Sequence, residues 1–404
     1  MLILGIETSC DETAAAVVED GVRILSNVVV SQIDIFAEYG GVIPEVAARS
    51  HLEAMMPVVN KALSDAKCSW DDIDAIAVTH APGLLGSLLI GTLTARTLAI
   101  LHDKPLYAVH HLKSHVYANW LSMDEVAEPI FSSETAGPGA HILSRAASGR
   151  PVATGGRRSS SPCQAPEALR KNVEHHPPTA HAPHFPIIAL VISGGHTQIL
   201  YMPAHNRFEI IGTTRDDAVG ECFDKVAKIL GLPYPGGPSI AAAALEGDAE
   251  KYRLPHPKIE GLDFSFSGLK TAVLRAVQKE LGLPVSHPSH DLKNHLSKQQ
   301  VADFAASFQK TAIDILCEKL TLALEQHPDA QSVVIAGGVS ANKALRERVL
   351  SVLTTHNRQC FFPAPSLSGD NGAMVAAAAY YEIISGVEPT DPYSLNIYPR
   401  ITIE

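Results

Sequence analysis

The stretch IALVISGGHTQILYM, residues 188–202, contains an apolar run, a turn of small and polar residues, and a second apolar run. Residues 2–18, LILGIETSCDETAAAVV, follow the same order. Short apolar runs bounded by turn residues are typical of β-strands. Each segment therefore predicts two strands joined by a tight turn, once at the start of the chain and once in its middle.

A second pair of similar segments follows these two. Residues 72–99, DIDAIAVTHAPGLLGSLLIGTLTARTLA, and residues 329–349, DAQSVVIAGGVSANKALRERV, both begin with an apolar strand, continue through a glycine-containing loop and end in a helix. One supersecondary plan used twice predicts two similar α/β lobes that face a cleft. Ligands are then expected at the loops that follow the carboxyl ends of the strands.

Length and composition limit the function. A chain of 404 residues with 46% hydrophobic residues is long enough for two or three domains with full cores. We assign residues 1–109 and about 378–404 to an N-terminal lobe, and residues 110–377 to a C-terminal lobe. The formal net charge of -11 excludes a uniformly basic nucleic-acid binder, but a local basic patch remains compatible with RNA binding.

The cysteines and the first residues indicate a cytoplasmic protein. The six cysteines include no CxxC pair, which favours a reduced chain over a disulfide or zinc-ribbon framework. The chain enters an apolar run at once, without a basic leader, so we expect no signal or transit peptide. No uninterrupted apolar stretch reaches the roughly 18 residues of a membrane span, so we expect a soluble protein without membrane contact.

Residues 124–186 differ from the rest of the chain. They are rich in Pro, Gly, Ser, His and Ala and show no sustained periodicity, as in GGRRSSSPCQAP and HHPPTAHAPH. Such a composition buries too little apolar surface to form a core. We therefore predict a low-complexity, mostly disordered insertion within the C-terminal lobe.

Two histidines spaced for one metal ion, His111 and His115, lie in HHLKSH. On a helix, residues four apart project from the same face with about 5–6 Å between them, which suits two ligands of one ion. Histidines so spaced also occur on ordinary helix faces without a metal. Leu112 stands where the zinc-peptidase motif HExxH has Glu, so the general base of a peptidase is missing.

Asp370 is the carboxylate best placed to be a third ligand. It lies in SGDNGAM, at a glycine-flanked turn that opens a helix of very small residues, AMVAAAA. An Asp at this position is also a common helix N-cap, and the two roles are compatible.

Further motifs offer contacts to an anionic or nucleotide-like ligand. A strand that ends in a Gly-Gly turn lets a phosphate approach its N–H groups, although it also makes an ordinary hairpin. Asn342, in AGGVSAN, opens a helix after a buried strand. Gly237 lies in the rigid turn PGGP, and Asp224 lies in an acidic helical stretch, where it binds ribose hydroxyls or simply faces solvent. The residues of the Gly-Gly turn and its strand are Val191, Ile192, Ser193, Gly194 and Gly195.

Taken together, HHLKSH, VISGGHTQ, FDK with PGGP, FSFSGLKT, AGGVSAN and SGDNGAM resemble the motifs of the bacterial tRNA N6-threonylcarbamoyladenosine transferase family, in order and context. The resemblance covers residues 1–123 and 187–404, and it leads us to expect no counterpart for residues 124–186. It implies an α/β fold of two actin/Hsp70/sugar-kinase-like (RNase H-like) lobes around a central cleft.

The resemblance also implies an activity and a set of site residues. The donor would be threonylcarbamoyl-AMP, and the acceptor would be N6 of the adenosine 3′ to the anticodon in tRNAs reading ANN codons. Asp11 and Glu12, in ETSCDE, would border the reaction centre, and our hypothesis is that one of the two accepts a proton as the amine attacks. One divalent ion, iron(II) or else zinc or magnesium, would be held by His111, His115 and Asp370. The adenylate would be bound by Val191, Ile192, Ser193, Gly194, Gly195, Asp224, Gly237 and Asn342.

Two protein partners are implied in the same way: an inactive paralogous subunit that forms a heterodimer with this chain, and a small P-loop ATPase. Other functions remain open from the residues alone. A sugar or acetate kinase of the same fold, an Hsp70-like ATPase, a metallopeptidase and a carbamoyltransferase acting on small molecules are the alternatives. A bound metal without a phosphorylated product separates the first of these from a transferase.

Overall fold

The computed structural model describes residues 1–122 and 182–403. Most of the predicted insertion, 124–186, lies outside the described residues, and its predicted disorder stays a prediction. Residues 182–186, its last part, lead into the second sheet, and Ala182 is buried. The lobe boundaries near residues 109 and 378 also remain a prediction.

The first described sheet has five strands in the order β3-β2-β1-β4-β5. Strands β1, β2 and β3 form an antiparallel meander, whereas β4 and β5 run parallel to β1. The strands are β1 (Leu2–Glu7), β2 (Glu12–Glu19), β3 (Arg23–Ser31), β4 (Ala75–Ala81) and β5 (Leu106–His110).

The second described sheet repeats this plan, with the order β10-β9-β6-β7-β8. Strands β6, β7 and β8 form an antiparallel meander, and β9 and β10 are parallel to β6. The prediction of two similar α/β lobes is therefore confirmed. The strands are β6 (Ile187–Ile192), β7 (Thr197–Ala204), β8 (Arg207–Thr213), β9 (Ser332–Ala336) and β10 (Gln359–Phe361).

The described helices cover both sheets. Their bounds agree with the apolar periodicity of the sequence, as in α2, where Pro44 occupies the first turn. They are α1 (Ile33–Tyr39), α2 (Pro44–Ala66), α3 (Leu85–His102), α4 (His111–Tyr117), α5 (Val219–Leu230), α6 (Gly236–Ala244), α7 (Ser267–Glu280), α8 (Lys298–Gln326), α9 (Lys343–His356) and α10 (Gly372–Ile384).

Helices α4 and α10 lie between the two sheets. One apolar cluster joins Ile3 of β1, Val191 of β6 and most of α10. Helix α10 is buried at every position from Gly372 to Ile383, as expected for a helix that is apolar on all sides. Tyr117 of α4 stacks on Tyr381 of α10, with 4.7 Å between the ring centroids. The two helices therefore form the central layer of the protein.

Two glycines allow α10 to approach β1 and β2 closely. A Cβ atom on Gly5 would lie 2.2 Å from the carbonyl oxygen of Gly372 and 2.6 Å from the backbone nitrogen of Ala376. A Cβ on Gly372 would lie 2.5 Å from the backbone nitrogen of Ala16. Backbone atoms cannot move aside as a flexible side chain does, so only glycine fits at these positions.

We expect Gly5→Ala to lower the free energy of unfolding by about 3 kcal/mol, because the new methyl group overpacks the contact with α10. Gly268→Ala is the matched control, because a Cβ there meets no atom within 4 Å. It should not lower stability, because alanine is the better helix former at this exposed helical position. Urea denaturation of both variants measures the difference, and equal stabilities would contradict the proposed close packing.

Helix α3 is long and apolar enough to cross a membrane by length and composition alone. That is weak support for a span, because core helices of soluble proteins pass the same test. Its inward side chains, Leu88, Ala95 and Leu98, are buried, and the last two pack in the core of the first lobe. Its outer side nevertheless exposes Leu85, Leu89, Leu93, Ile100 and Leu101.

Candidate functional site

The two histidines lie on α4, where β5 ends and the central layer begins. His110 caps the helix, because its imidazole accepts a hydrogen bond from the backbone N–H of Leu112 at 3.2 Å. Helix α4 therefore starts at His111, and the next turn brings His115 onto the same face. The two imidazole centroids are 4.6 Å apart, so both rings lie on one helix face, as the spacing predicted.

Asp370 meets these imidazoles from the residues that precede α10. Its Oδ1 lies 3.1 Å from Nε2 of His115 and 3.6 Å from Nε2 of His111. One ligand atom from each of the three residues lies within 4.8 Å of the other two. The alternative interpretation of Asp370 as a helix N-cap is wrong, because Asn371 caps α10 by accepting from the N–H of Met374 at 3.0 Å. The carboxylate of Asp370 is thus left for the imidazoles.

The donor set fits a divalent metal ion. The side chain of His115 is only 1% exposed, yet neither of its ring nitrogens makes a well-aligned hydrogen bond with the described residues. A buried polar atom without a hydrogen bond is costly and calls for a partner. Two imidazole nitrogens and one carboxylate oxygen, with positions left open, are the ligands that zinc, iron and related ions accept.

Glu7, at the end of β1, orients His111. It is fully buried and accepts from the N–H of Ser9 and the hydroxyl of Thr79, both at 2.5 Å. Nδ1 of His111 lies 3.2 Å from Oε2 of Glu7 and 3.1 Å from the hydroxyl of Ser9. A proton on Nδ1 is therefore held by the carboxylate, which leaves Nε2 to face Asp370.

The charges of the cluster stabilise one another. Burial alone would lower the pKa of His111, but the carboxylates of Asp370 and Glu7 outweigh it and raise that pKa to about 9. Burial would raise the pKa of Asp370, but His111 and His115 outweigh it and hold that pKa well below its usual range. Burial and the same two histidines lower the pKa of His196 to about 4. His196 therefore stays neutral beside the cluster at neutral pH.

The stability of the metal-free protein should depend on the protonation of His111. Because its pKa is raised on folding, the stabilisation is complete below about pH 6.5 and is lost as the pH rises through about 9. Urea denaturation of chelator-treated protein should show a falling free energy of unfolding over this interval. His111→Gln should make the decline shallower, whereas the exposed His290→Gln should not. The same slope in wild type and His111→Gln would contradict the role of this imidazole.

The acidic turn after β1 lies close to the cluster. Burial raises the pKa of Glu12 well above its usual range, and the negative charges of Asp11 and Asp370 raise it further. The hydroxyl of Ser31 donates to Oε1 of Glu12 at 3.2 Å. Burial and then the charges of Asp11 and Asp224 raise the pKa of Tyr234. The turn of the first lobe therefore faces residues of the second lobe.

The Gly-Gly turn connects β6 and β7 as an ordinary hairpin, which was one of the two interpretations of this motif. The N–H of Ser193 donates to the carbonyl of His196 at 2.8 Å. Gly194 and Gly195 are exposed, and a Cβ on either would meet no atom within 4 Å. Gly337 packs against the end of β6, because a Cβ atom added to it would lie 2.5 Å from the carbonyl oxygen of Ile192. The glycine-containing loops that follow β6 and β9 therefore lie side by side.

Asp224 contacts the turn that carries Gly237, since Oδ1 of Asp224 accepts from the N–H of the preceding residue, Gly236, at 2.7 Å. Burial, with a smaller contribution from Asp11, raises the pKa of Asp224, so this carboxyl is not a simple solvated group. Asn342 caps α9 by accepting from Leu345 at 3.1 Å and donates to Gln309 at 2.8 Å. Its amide already has two partners in the protein.

Some residues of the site were not found in the sequence. Glu7 and Ser9 lie in an apolar strand and the turn after it, and nothing in the motif ETSCDE distinguishes a buried carboxylate from an exposed one. His196 directly follows the Gly-Gly turn, so its position next to that motif could have identified it as a site residue from the sequence. Tyr234 precedes PGGP, and only the folded chain brings it near the acidic turn.

Fold and site together define a class. The crystal structure of T. kodakarensis HypF aligns with 96% of this chain and 48% of that chain, with a TM-score of 0.53 and 14% identity, which shows a shared fold. The described chain is a two-lobed α/β protein of the actin/Hsp70/sugar-kinase-like (RNase H-like) type, with a His-His-Asp cluster between its lobes.

Sequence comparison specifies the family. The family TsaD, tRNA N6-adenosine threonylcarbamoyltransferase, matches residues 23–148 and 168–377. The protein of that name from Symbiobacterium thermophilum is 44% identical over 99% of this chain and 96% of its own length. The one from Caldicellulosiruptor saccharolyticus is 39% identical over 100% and 98%. The chain belongs to the tRNA N6-adenosine threonylcarbamoyltransferase family and is a transferase.

The family match also corrects one expectation. Residues 124–186 were expected to have no counterpart, but the match includes residues 124–148 and 168–186. Only residues 149–167 of this block fall outside it. Low sequence complexity therefore did not mark a segment foreign to the family.

Proposed function

We propose that the chain transfers a threonylcarbamoyl group from threonylcarbamoyl-AMP to N6 of the adenosine 3′ to the anticodon in tRNAs reading ANN codons, with AMP as the leaving group. The observation that carries the proposal is the convergence of His111, His115 and Asp370 between the lobes of a chain of this family. The reaction takes place in the cytoplasm, without a membrane.

The glycine loops of the second lobe bind the adenylate part of the donor. Residues 191–195 and Gly237 line this surface, and a Cβ on Gly194, Gly195 or Gly237 would meet no atom within 4 Å, so no side chain at these glycines blocks a flat ligand. Asp224, beside Gly236, accepts from the ribose hydroxyls. With respect to the described residues, Asn342 keeps one lone pair on its Oδ1 and one N–H for a further contact with the nucleotide.

His111, His115 and Asp370 hold one divalent metal ion, for which we propose iron(II), with zinc or magnesium as alternatives. Such an ion supplies a Lewis acid for the oxygens of the donor. Glu7 fixes the ring of His111 for this role, because it holds the Nδ1 side of the imidazole. Two imidazole ligands favour iron or zinc over magnesium, which prefers oxygen ligands.

Asp11 or Glu12 accepts the proton that the attacking amine releases. The amine N6 attacks the carbamoyl carbon, the bond from that carbon to the phosphate oxygen breaks, and AMP leaves with the bonding electrons. The attacking nitrogen then loses one proton to a carboxylate of this pair. Because burial and neighbouring charges raise the pKa of Glu12, its carboxylate is a stronger base than an exposed one.

We expect His111→Ala, His115→Ala and Asp370→Ala each to lower transfer by about 100-fold or more, because each removes a ligand from the centre. The assay uses purified donor, tRNA and partner proteins, with nucleoside analysis of the product. The exposed His290→Ala serves as the control and should keep full activity. Full transfer by the ligand variants would show that this centre is not used.

The exposed apolar side of α2 and α3 is the surface we assign to the inactive paralogous subunit. Leu89 and Leu93 are 43% and 45% exposed, and Leu52 of the neighbouring helix is 68% exposed. Gly86 lets the two helices pack closely, because its Cβ would be 2.9 Å from Cβ of Ala48. A paralogue with the same first lobe presents matching helices, and such apolar faces bury each other well. The small P-loop ATPase joins this assembly.

Leu89→Asp should weaken association with the paralogous subunit by about tenfold or more, because it places a charge in an apolar interface. Leu350→Asp is the control, since Leu350 is similarly exposed, at 48%, but lies on α9 of the second lobe. Size-exclusion chromatography and a titration of the two subunits measure the difference. Equal affinities for both variants would place the interface elsewhere.

A further inference from the structure

The connection between α7 and α8 carries a second cluster of metal-type ligands. His287, Asp291 and His295 are spaced four residues apart in HPSHDLKNH. Nε2 of His287 lies 2.9 Å, and Nε2 of His295 lies 3.0 Å, from the same oxygen, Oδ2 of Asp291. One ligand atom from each residue lies within 4.8 Å of the other two. All three side chains therefore converge on one point.

The surrounding contacts hold this arrangement. Nδ2 of Asn294 donates to Oδ1 of Asp291 at 2.9 Å, which turns Oδ2 towards the imidazoles. Leu292, fully buried, anchors the 3₁₀ turn that carries Asn294. The buried amide of Gln278 donates to the carbonyl of His287 at 3.0 Å. Neighbouring residues thus hold the partly exposed ligands in place.

We propose that His287, Asp291 and His295 form a second, structural site for a divalent transition-metal ion such as zinc. Two imidazole nitrogens and one carboxylate oxygen suit zinc and its neighbours, whereas calcium and magnesium prefer oxygen ligands. With bonds to zinc of about 2.0–2.1 Å, tetrahedral ligands are about 3.3 Å apart. The two N–O distances of 2.9 and 3.0 Å therefore need only a small expansion, and a ring nitrogen of one histidine lies within 4.8 Å of a ring nitrogen of the other.

The protonation of the site also suits metal binding. In the metal-free protein, each Nε2–H donates to Asp291; with an ion bound, the Nε2 lone pairs face it and the protons reside on Nδ1. The side chains of His287, Asp291 and His295 are 20%, 35% and 46% exposed, so water can reach the cluster. Water also completes the coordination. The ion would fix the connection between α7 and α8.

The test counts zinc ions on the full chain, purified without a histidine tag and titrated with Zn²⁺ against a chromophoric chelator. His287→Ala and His295→Ala should each lose one equivalent of zinc relative to wild type. His290→Ala is the matched control, because this exposed histidine lies in the same segment but outside the cluster. It should keep that equivalent.

Two further variants separate this site from the first. Asn294→Ala should weaken the affinity about tenfold without abolishing binding, because it removes only the partner that orients Asp291. His111→Ala should lose a different equivalent, and the double variant His111→Ala, His295→Ala should lose both. If His287→Ala and His295→Ala bind as much zinc as His290→Ala, the three side chains only hydrogen-bond to one another and the proposal is wrong. This conclusion does not depend on the result for His111→Ala.

Discussion

The close contact between β1 and α10 is the constraint on which the rest of the structure depends. Gly5 and Gly372 leave out the side chains that would hold the helix away from the sheet. Helix α10 can then fill the layer between the two sheets, next to α4. Asp370, just before this helix, is brought to the imidazoles of α4 by that placement. A larger residue at either glycine would move the aspartate together with the helix.

The same layer explains why charged groups are tolerated in the interior. Burying a carboxylate is costly unless charges and hydrogen bonds compensate it. Glu7 accepts from Ser9 and Thr79 and faces Nδ1 of His111, while the other side of that ring faces Asp370. Each carboxylate therefore stabilises the imidazole between them. Nε2 of His115, which faces Asp370 without a well-aligned hydrogen bond among the described residues, is the nitrogen that this network leaves for an ion.

The duplicated topology places different residues at equivalent positions of the two lobes. The turns after β1 and after β6 occupy equivalent positions in their sheets, because both strands are central and both begin an antiparallel meander. The first turn carries Asp11 and Glu12, whereas the second carries glycines that leave room for a ligand. In the proposed reaction, the acid–base groups and the nucleotide-binding surface would thus come from equivalent turns of the two lobes.

The sequence by itself determined the duplicated strand–turn–strand and strand–loop–helix segments, and it predicted the three metal-type ligands. These follow from local rules: apolar periodicity specifies an element, and a spacing of four places two histidines on one helix face. The tertiary structure alone decided that Asn371 rather than Asp370 caps α10, because either residue could do so locally. It also decided that Glu7 is buried against His111, and which leucines of α3 remain exposed. Contacts between residues distant in sequence depend on how the elements pack, and packing is a property of the whole chain.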